Sequence, residues 1–167
     1  EALTAAGVAV APWRSAETEA ELASAVAELG VPVIAKTARF GYDGKGQVRI
    51  TDPADVAAVW EALGGERLVV ESVIAFDREL SVVVARGVDG DVVDHGVMEN
   101  THANHILDTT TVPARVPDAT AEAARATAHL VATRLGLVGV LCVELFDTAE
   151  GILVNEIAPR PHNSGHC

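Results

Sequence analysis

The chain is short of positive charge: its 167 residues hold 12 Lys and Arg against 24 Asp and Glu, a formal net charge of -12. A protein that grips nucleic acid neutralises phosphates along a broad basic face, so this deficit argues against nucleic acid as a partner. Cysteine is equally scarce. Cys142 sits inside an apolar run and Cys167 is the last residue, a pattern that makes neither a disulfide framework nor a cysteine metal cluster. Cys142 reads as core. No apolar run approaches the roughly 20 residues of a membrane-spanning helix, and the residues from Glu1 onward lack the basic, apolar and small-residue order of a signal peptide. These absences predict a cytoplasmic protein with no membrane partner. The chain also starts without Met and stops directly after its densest motif, which predicts an excerpt of a longer protein. What it has in quantity is apolar residues, 49% of the total, ample for one full domain or two small lobes.

Ser15 and Thr18 precede a stretch with Leu22, Val26 and Leu29 at helical spacing, closed by Gly30, so 17–29 reads as a capped amphipathic helix. Strands follow at 31–35 and 48–50, on either side of a glycine-rich segment. Asp52-Pro53 then opens a helix to Leu63, and 68–70 returns as a strand. This order predicts a small α+β lobe over 1–70, leaving 71–167 as a second lobe. In that lobe 80–85 and 92–97 are strands around the turn Val88-Asp89-Gly90-Asp91, and 99–117 reads as irregular. An Ala-rich helix covers 119–135 and ends at Gly136. Strands at 138–146 and 152–157 flank a final turn.

Chemistry gathers at three places. Gly41, Tyr42, Asp43, Gly44, Lys45, Gly46 and Gln47 form a loop whose backbone N–H groups can approach anionic oxygens. With Lys36 and Arg39 before it, an otherwise acidic chain has three cations within ten residues, suited to a triphosphate; an ordinary mobile hairpin is the other reading. Glu144 lies within Val140-Leu141-Cys142-Val143-Glu144-Leu145-Phe146, where an unpaired buried carboxylate would be costly. Counting outward from the turn at 148–151 sets it opposite Asn155 or Glu156. Such oxygen-only ligation suits magnesium bridged to nucleotide phosphates, whereas an arginine ion pair or a water-facing edge would be purely structural. The densest segment runs from Asn155 and Glu156 through Arg160, Pro161, His162, Asn163, Ser164 and Gly165 to His166. A plain surface turn has no need of a carboxylate, an arginine and two histidines in so short a stretch. Between the lobes, Glu71, Ile74, Phe76 and Glu79 can line an adenine slot, with Glu79 placed for a ribose hydroxyl. His95, His105 and His129 have no spacing that makes a site.

Lys36-Thr37, the 41–47 loop, Phe76-Asp77-Arg78-Glu79-Leu80-Ser81, Gly139 to Phe146 and the run 155–166 together resemble the ATP-grasp domain of the 5-(carboxyamino)imidazole ribonucleotide synthase family. The resemblance covers nearly the whole chain in order. It implies an ATP-grasp domain of two lobes, each a mainly antiparallel sheet with helices, truncated at both ends relative to the family. It further implies an ATP-dependent carbon–nitrogen ligase of purine biosynthesis that forms carboxyphosphate from ATP and bicarbonate and carboxylates aminoimidazole ribonucleotide. By matching positions, the resemblance assigns Lys36 and residues 41–47 to the phosphates, and Glu71, Ser72, Val73, Ile74 and Glu79 to adenosine. His102 would lie near the nucleotide, as would Asn155 and Glu156. Glu144 and Glu156 would hold magnesium, with manganese as a substitute, and Arg160, His162 and Asn163 would hold bicarbonate or carboxyphosphate. The expected partners are small molecules, with a homodimer left open. The sequence departs from the family where His105 stands in place of a glycine before Ile106-Leu107, so no substrate role falls there.

Overall fold

The computed structural model describes residues 1–39, 46–103 and 106–166. The glycine loop from Gly41 to Lys45 and the histidine at 105 lie outside the described residues. The chain forms two compact units, one of Ala11–Ile74 and one of Glu1–Val10 with Ala75–Cys167. The expected division at 70/71 is therefore corrected at both ends. Val8 is buried in the second unit's core, and Val154 N–H donates to the Ala9 carbonyl at 2.9 Å, which draws the first ten residues away from the unit that follows them. Strand pairing also continues past residue 70, to Ser72.

After a short helix α1 (Ala2–Ala5), the first unit runs β1 (Trp13–Ala16), α2 (Glu19–Leu29), β2 (Val33–Thr37), β3 (Gln47–Ile50), α3 (Val56–Ala62) and β4 (Leu68–Ser72). The sheet order is β1-β4-β2-β3, antiparallel throughout. Helix α2 starts where Thr18 accepts from the Glu21 N–H at 3.2 Å, and Asp52 accepts from the Ala54 N–H ahead of α3. Leu22, Ala25 and Val26 of α2 and Val56 and Val59 of α3 cover Ala16, Val33, Ala35, Ile50, Leu68 and Val70. Every second strand residue thus faces the helices, and its neighbours face away.

The second unit runs β5 (Arg78–Arg86), β6 (Val92–Ala103), β7 (Ile106–Thr111), α4 (Asp118–Arg134), β8 (Gly139–Thr148) and β9 (Gly151–Ala158), with sheet order β7-β6-β5-β8-β9. Ala124, Ala128, Val131 and Ala132 of α4 pack on Leu80, Val82, Val84, Leu141, Val143 and Leu145. Both sheets are antiparallel, as expected of the fold. The region expected to be irregular, 99–117, instead continues β6 to Ala103 and supplies β7, because Glu99, Asn100 and Thr101 pair with Thr111, Thr110 and Thr109.

Candidate functional site

In the first unit, alternation puts Val33 and Ala35 into the core and leaves Lys36 on the face turned from the helices. On β4 the same rule buries Val70 and turns Glu71 to that face. Ile34 is the direct partner of Glu71 and Val69 that of Lys36, so Lys36 and Glu71 are diagonal neighbours. Lys36 Nζ lies 2.6 Å from Glu71 Oε2, with the side chains 31% and 25% exposed. Gln47 stands directly opposite Lys36 on β3, and the Thr37 N–H donates to the Gly46 carbonyl at 2.8 Å. This face thus carries a half-buried ammonium at the strand end where the glycine loop begins. The Ser72 and Val73 N–H groups donate to Pro12 and Pro32 carbonyls at 2.9 and 3.3 Å, so both amides are engaged within the unit.

In the second unit the face opposite α4 carries the chemistry. Register places Ser81 beside Glu144, Glu79 beside Phe146, and Glu79 beside Asn100. His102 Nδ1 pairs with Glu79 Oε2. Phe76 stacks on Phe146 with ring centroids 4.4 Å apart and 7° between planes. Glu144 is the Cα partner of Glu156, and the register slips between Glu144 and Leu145, where Leu145 pairs with Val154. Asn155 is thus the extra residue of a bulge in which two residues of β9 oppose one of β8. Counting from the turn allowed Asn155 or Glu156 opposite Glu144; the bulge makes it Glu156, with Asn155 adjoining.

Beyond β9 the chain folds back over this face. His162 Nε2 lies 2.9 Å from Glu144 Oε1, and a 3-10 turn over Asn163–Gly165 follows. The Glu144 partner is therefore a histidine, neither an arginine nor bulk water. His162 is 7% exposed, and the Cys142 side chain and the Glu144 carboxylate beside it raise its pKa to about 9 against the opposing effect of burial. Arg160 and Asn163 are exposed, and Arg160 donates to the Pro161 carbonyl at 3.0 Å.

Glu144 and Glu156, paired across two strands, give carboxylate oxygens of the kind magnesium takes when phosphates complete its shell. Among the described residues no group of three or more His, Cys, Asp or Glu could hold a metal ion, so the pair fits a cation shared with a ligand and not one caged by protein. His129, which sequence spacing left without a site, sits 2.7 Å from Asp94 in an ion-paired cluster with Arg125. Sequence reasoning missed Ser81, Asn100 and Ser164 as neighbours of His162. The available signal was a serine interrupting the apolar run from Leu80 to Val84.

All of residues 1–167 match the family model described as ATP-grasp domain. The chain belongs to the ATP-grasp family. Among its relatives, the N5-carboxyaminoimidazole ribonucleotide synthase of Bacillus subtilis (strain 168) is 45% identical over 167 residues, which is 99% of this chain and 44% of that protein. The structure of N5-carboxyaminoimidazole synthetase from Staphylococcus aureus complexed with ADP matches with a TM-score of 0.89 and 38% identity, covering 99% of this chain and 44% of that one. The Aspergillus clavatus synthase in complex with ADP and 5-aminoimidazole ribonucleotide matches with a TM-score of 0.87 and 31% identity, at 99% and 44% coverage. The chain spans less than half the length of these relatives.

Proposed function

We propose that this chain is the ATP- and bicarbonate-handling part of a cytoplasmic ligase that carboxylates 5-aminoimidazole ribonucleotide to its N5-carboxyamino form by way of carboxyphosphate. The observation that carries this reading is the paired Glu144 and Glu156 lying beside the His162 segment on one sheet face, in a chain 45% identical to a synthase of that name. Lys36 and residues 41–47 take the phosphates. Glu71, Ser72, Val73, Ile74 and Glu79 take the adenosine, with His102 held against Glu79.

Glu144, Glu156 and the Asn155 oxygen would hold magnesium, or manganese, which supplies neutralisation of phosphate charge when bound. Arg160 and Asn163 present N–H donors to the oxygens of bicarbonate and carboxyphosphate, where negative charge develops, and His162, whose two ring nitrogens face Glu144 and Ser164, adds its positive charge beside them. Phosphoryl transfer of this type is mostly positioning and charge neutralisation, so no side chain has to become a covalent nucleophile.

The test is ATP hydrolysis by the full-length protein with and without bicarbonate and aminoimidazole ribonucleotide. Stimulation by bicarbonate, coupled to product when the acceptor is added, is the expected result. Arg160→Ala should abolish that stimulation while ATP still binds. ATP binding with no bicarbonate response in the wild type would instead make this a nucleotide-binding module without turnover.

A further inference from the structure

Four of the five buried polar residues described in the second unit form one continuous line, Thr148 standing apart. Ser81, Asn100, His162 and Ser164 are 0%, 6%, 7% and 1% exposed. Thr110 Oγ1 donates to Asn100 Oδ1 at 3.1 Å, Asn100 Nδ2 donates to Ser81 Oγ at 2.8 Å, and Ser81 Oγ donates to Ser164 Oγ at 3.0 Å. Ser164 Oγ then meets His162 Nδ1 at 2.9 Å, and the opposite ring nitrogen faces Glu144. A hydroxyl in the middle of a valine-rich strand is costly unless bonded, and a fully bonded chain of such groups fixes a single geometry.

The line has a direction. The Asn100 NH2 group can only donate, so Ser81 keeps its own hydrogen for Ser164. With a neutral ring, the Ser164 hydroxyl and the Ser164 backbone N–H, 3.3 Å away, both donate to Nδ1, leaving the ring proton on Nε2. With a charged ring, Nδ1–H donates to Ser164, whose hydrogen turns to Cys142 Sγ at 3.9 Å. Either way Nε2–H points at Glu144. A second contact seats the turn: a Cβ added at Gly165 would lie 3.1 Å from Val83 Cγ2, so the backbone rests directly on the sheet.

We propose that Ser81, Asn100 and Ser164 are positioning residues for His162: they hold its ring with Nε2–H toward Glu144 and through it set segment 160–163. The link to bicarbonate rests on the function proposed above; the ring geometry does not. In the full-length protein above pH 9, where the ring is neutral, Ser164→Ala should shift the His162 15N signature part of the way from the Nε2–H tautomer, the backbone N–H of residue 164 remaining as the one donor to Nδ1. The KM for bicarbonate should rise about fivefold to tenfold, the loss of one hydrogen bond, while the KM for ATP stays within about twofold. Ser81→Ala should act in the same direction more weakly, and Ser164→Thr, which keeps the hydroxyl, should restore most of the effect. An unchanged ring signature and bicarbonate KM in Ser164→Ala would overturn the proposal, as would parallel losses for ATP and bicarbonate that track only the melting temperature. Absence of bicarbonate stimulation in the wild type would overturn the proposed function instead, and the ring signature would then decide the positioning by itself.

Discussion

Glu144 has taken an imidazole as its cation, and that choice makes part of the stability depend on pH. The pKa of His162 is raised from 6.5 to about 9, so its contribution is fully present below 6.5 and is lost as pH rises through about 9. Wild type should lose its stability advantage over His162→Gln across that window, measured by urea denaturation. A His162 ring that titrated near 6.5 by NMR would contradict the pairing. Glu144→Gln should lower that pKa and, on the proposed function, suppress turnover without unfolding the chain. On the proposed function, Lys36→Ala should weaken ATP binding by about 10- to 100-fold, the loss expected if Lys36 donates a charged hydrogen bond to phosphate, and calorimetry with magnesium present measures it. The strand positions of Glu144, Glu156 and Lys36 were legible in the sequence because alternation and counting from a turn are local rules. The partners of Glu144 and Glu79 were not: His162 and His102 arrive by register and by a returning segment, which no local spacing encodes.

At the scale of elements, whatever had a strong period or a cap was legible before the structure. Helix α2 carries its Thr18 cap and apolar spacing, and α4 its alanine face ended by Gly136. Strand β7 was hidden because Ile106-Leu107-Asp108 and the three threonines show no apolar alternation, although four of the six are β-branched; what holds the strand is its pairing with β6. Strand β1 was hidden likewise, with just Ala16 of its four residues buried. The turn at Asn163–Gly165 owes its place to close approach. Gly165→Ala should therefore destabilise the fold by about 1 kcal/mol, through overpacking against Val83. Adding Val83→Ala should return part of that loss, and a double-mutant cycle by chemical denaturation reads the coupling. Simple additivity of the two changes would show that they do not touch.

At the scale of the whole molecule, each unit carries its own apolar cluster, and the family resemblance had implied two lobes with two sheets. The division of the chain was less legible, since the docking of residues 1–10 beside β9 depends on an isolated parallel bridge from Val10 to Val154. The 167 residues alone, at 44% of a relative's length, should hydrolyse ATP slowly and fail to accumulate carboxylated product, because carboxyphosphate open to water decomposes. Product formation by this segment at the rate of the full-length protein, followed chromatographically, would contradict that expectation.

The bulge at Asn155 changes how this strand responds to insertion and deletion. Removing one residue from a regular strand throws everything beyond it onto the wrong face. Removing Asn155 would instead leave Val154 against Leu145, Glu156 against Glu144 and Ala158 against Cys142, with the ladder made regular. The frame of the sheet survives, and a single carbonyl oxygen beside the carboxylate pair is what disappears. That position is where a one-residue deletion can separate folding from chemistry in this chain.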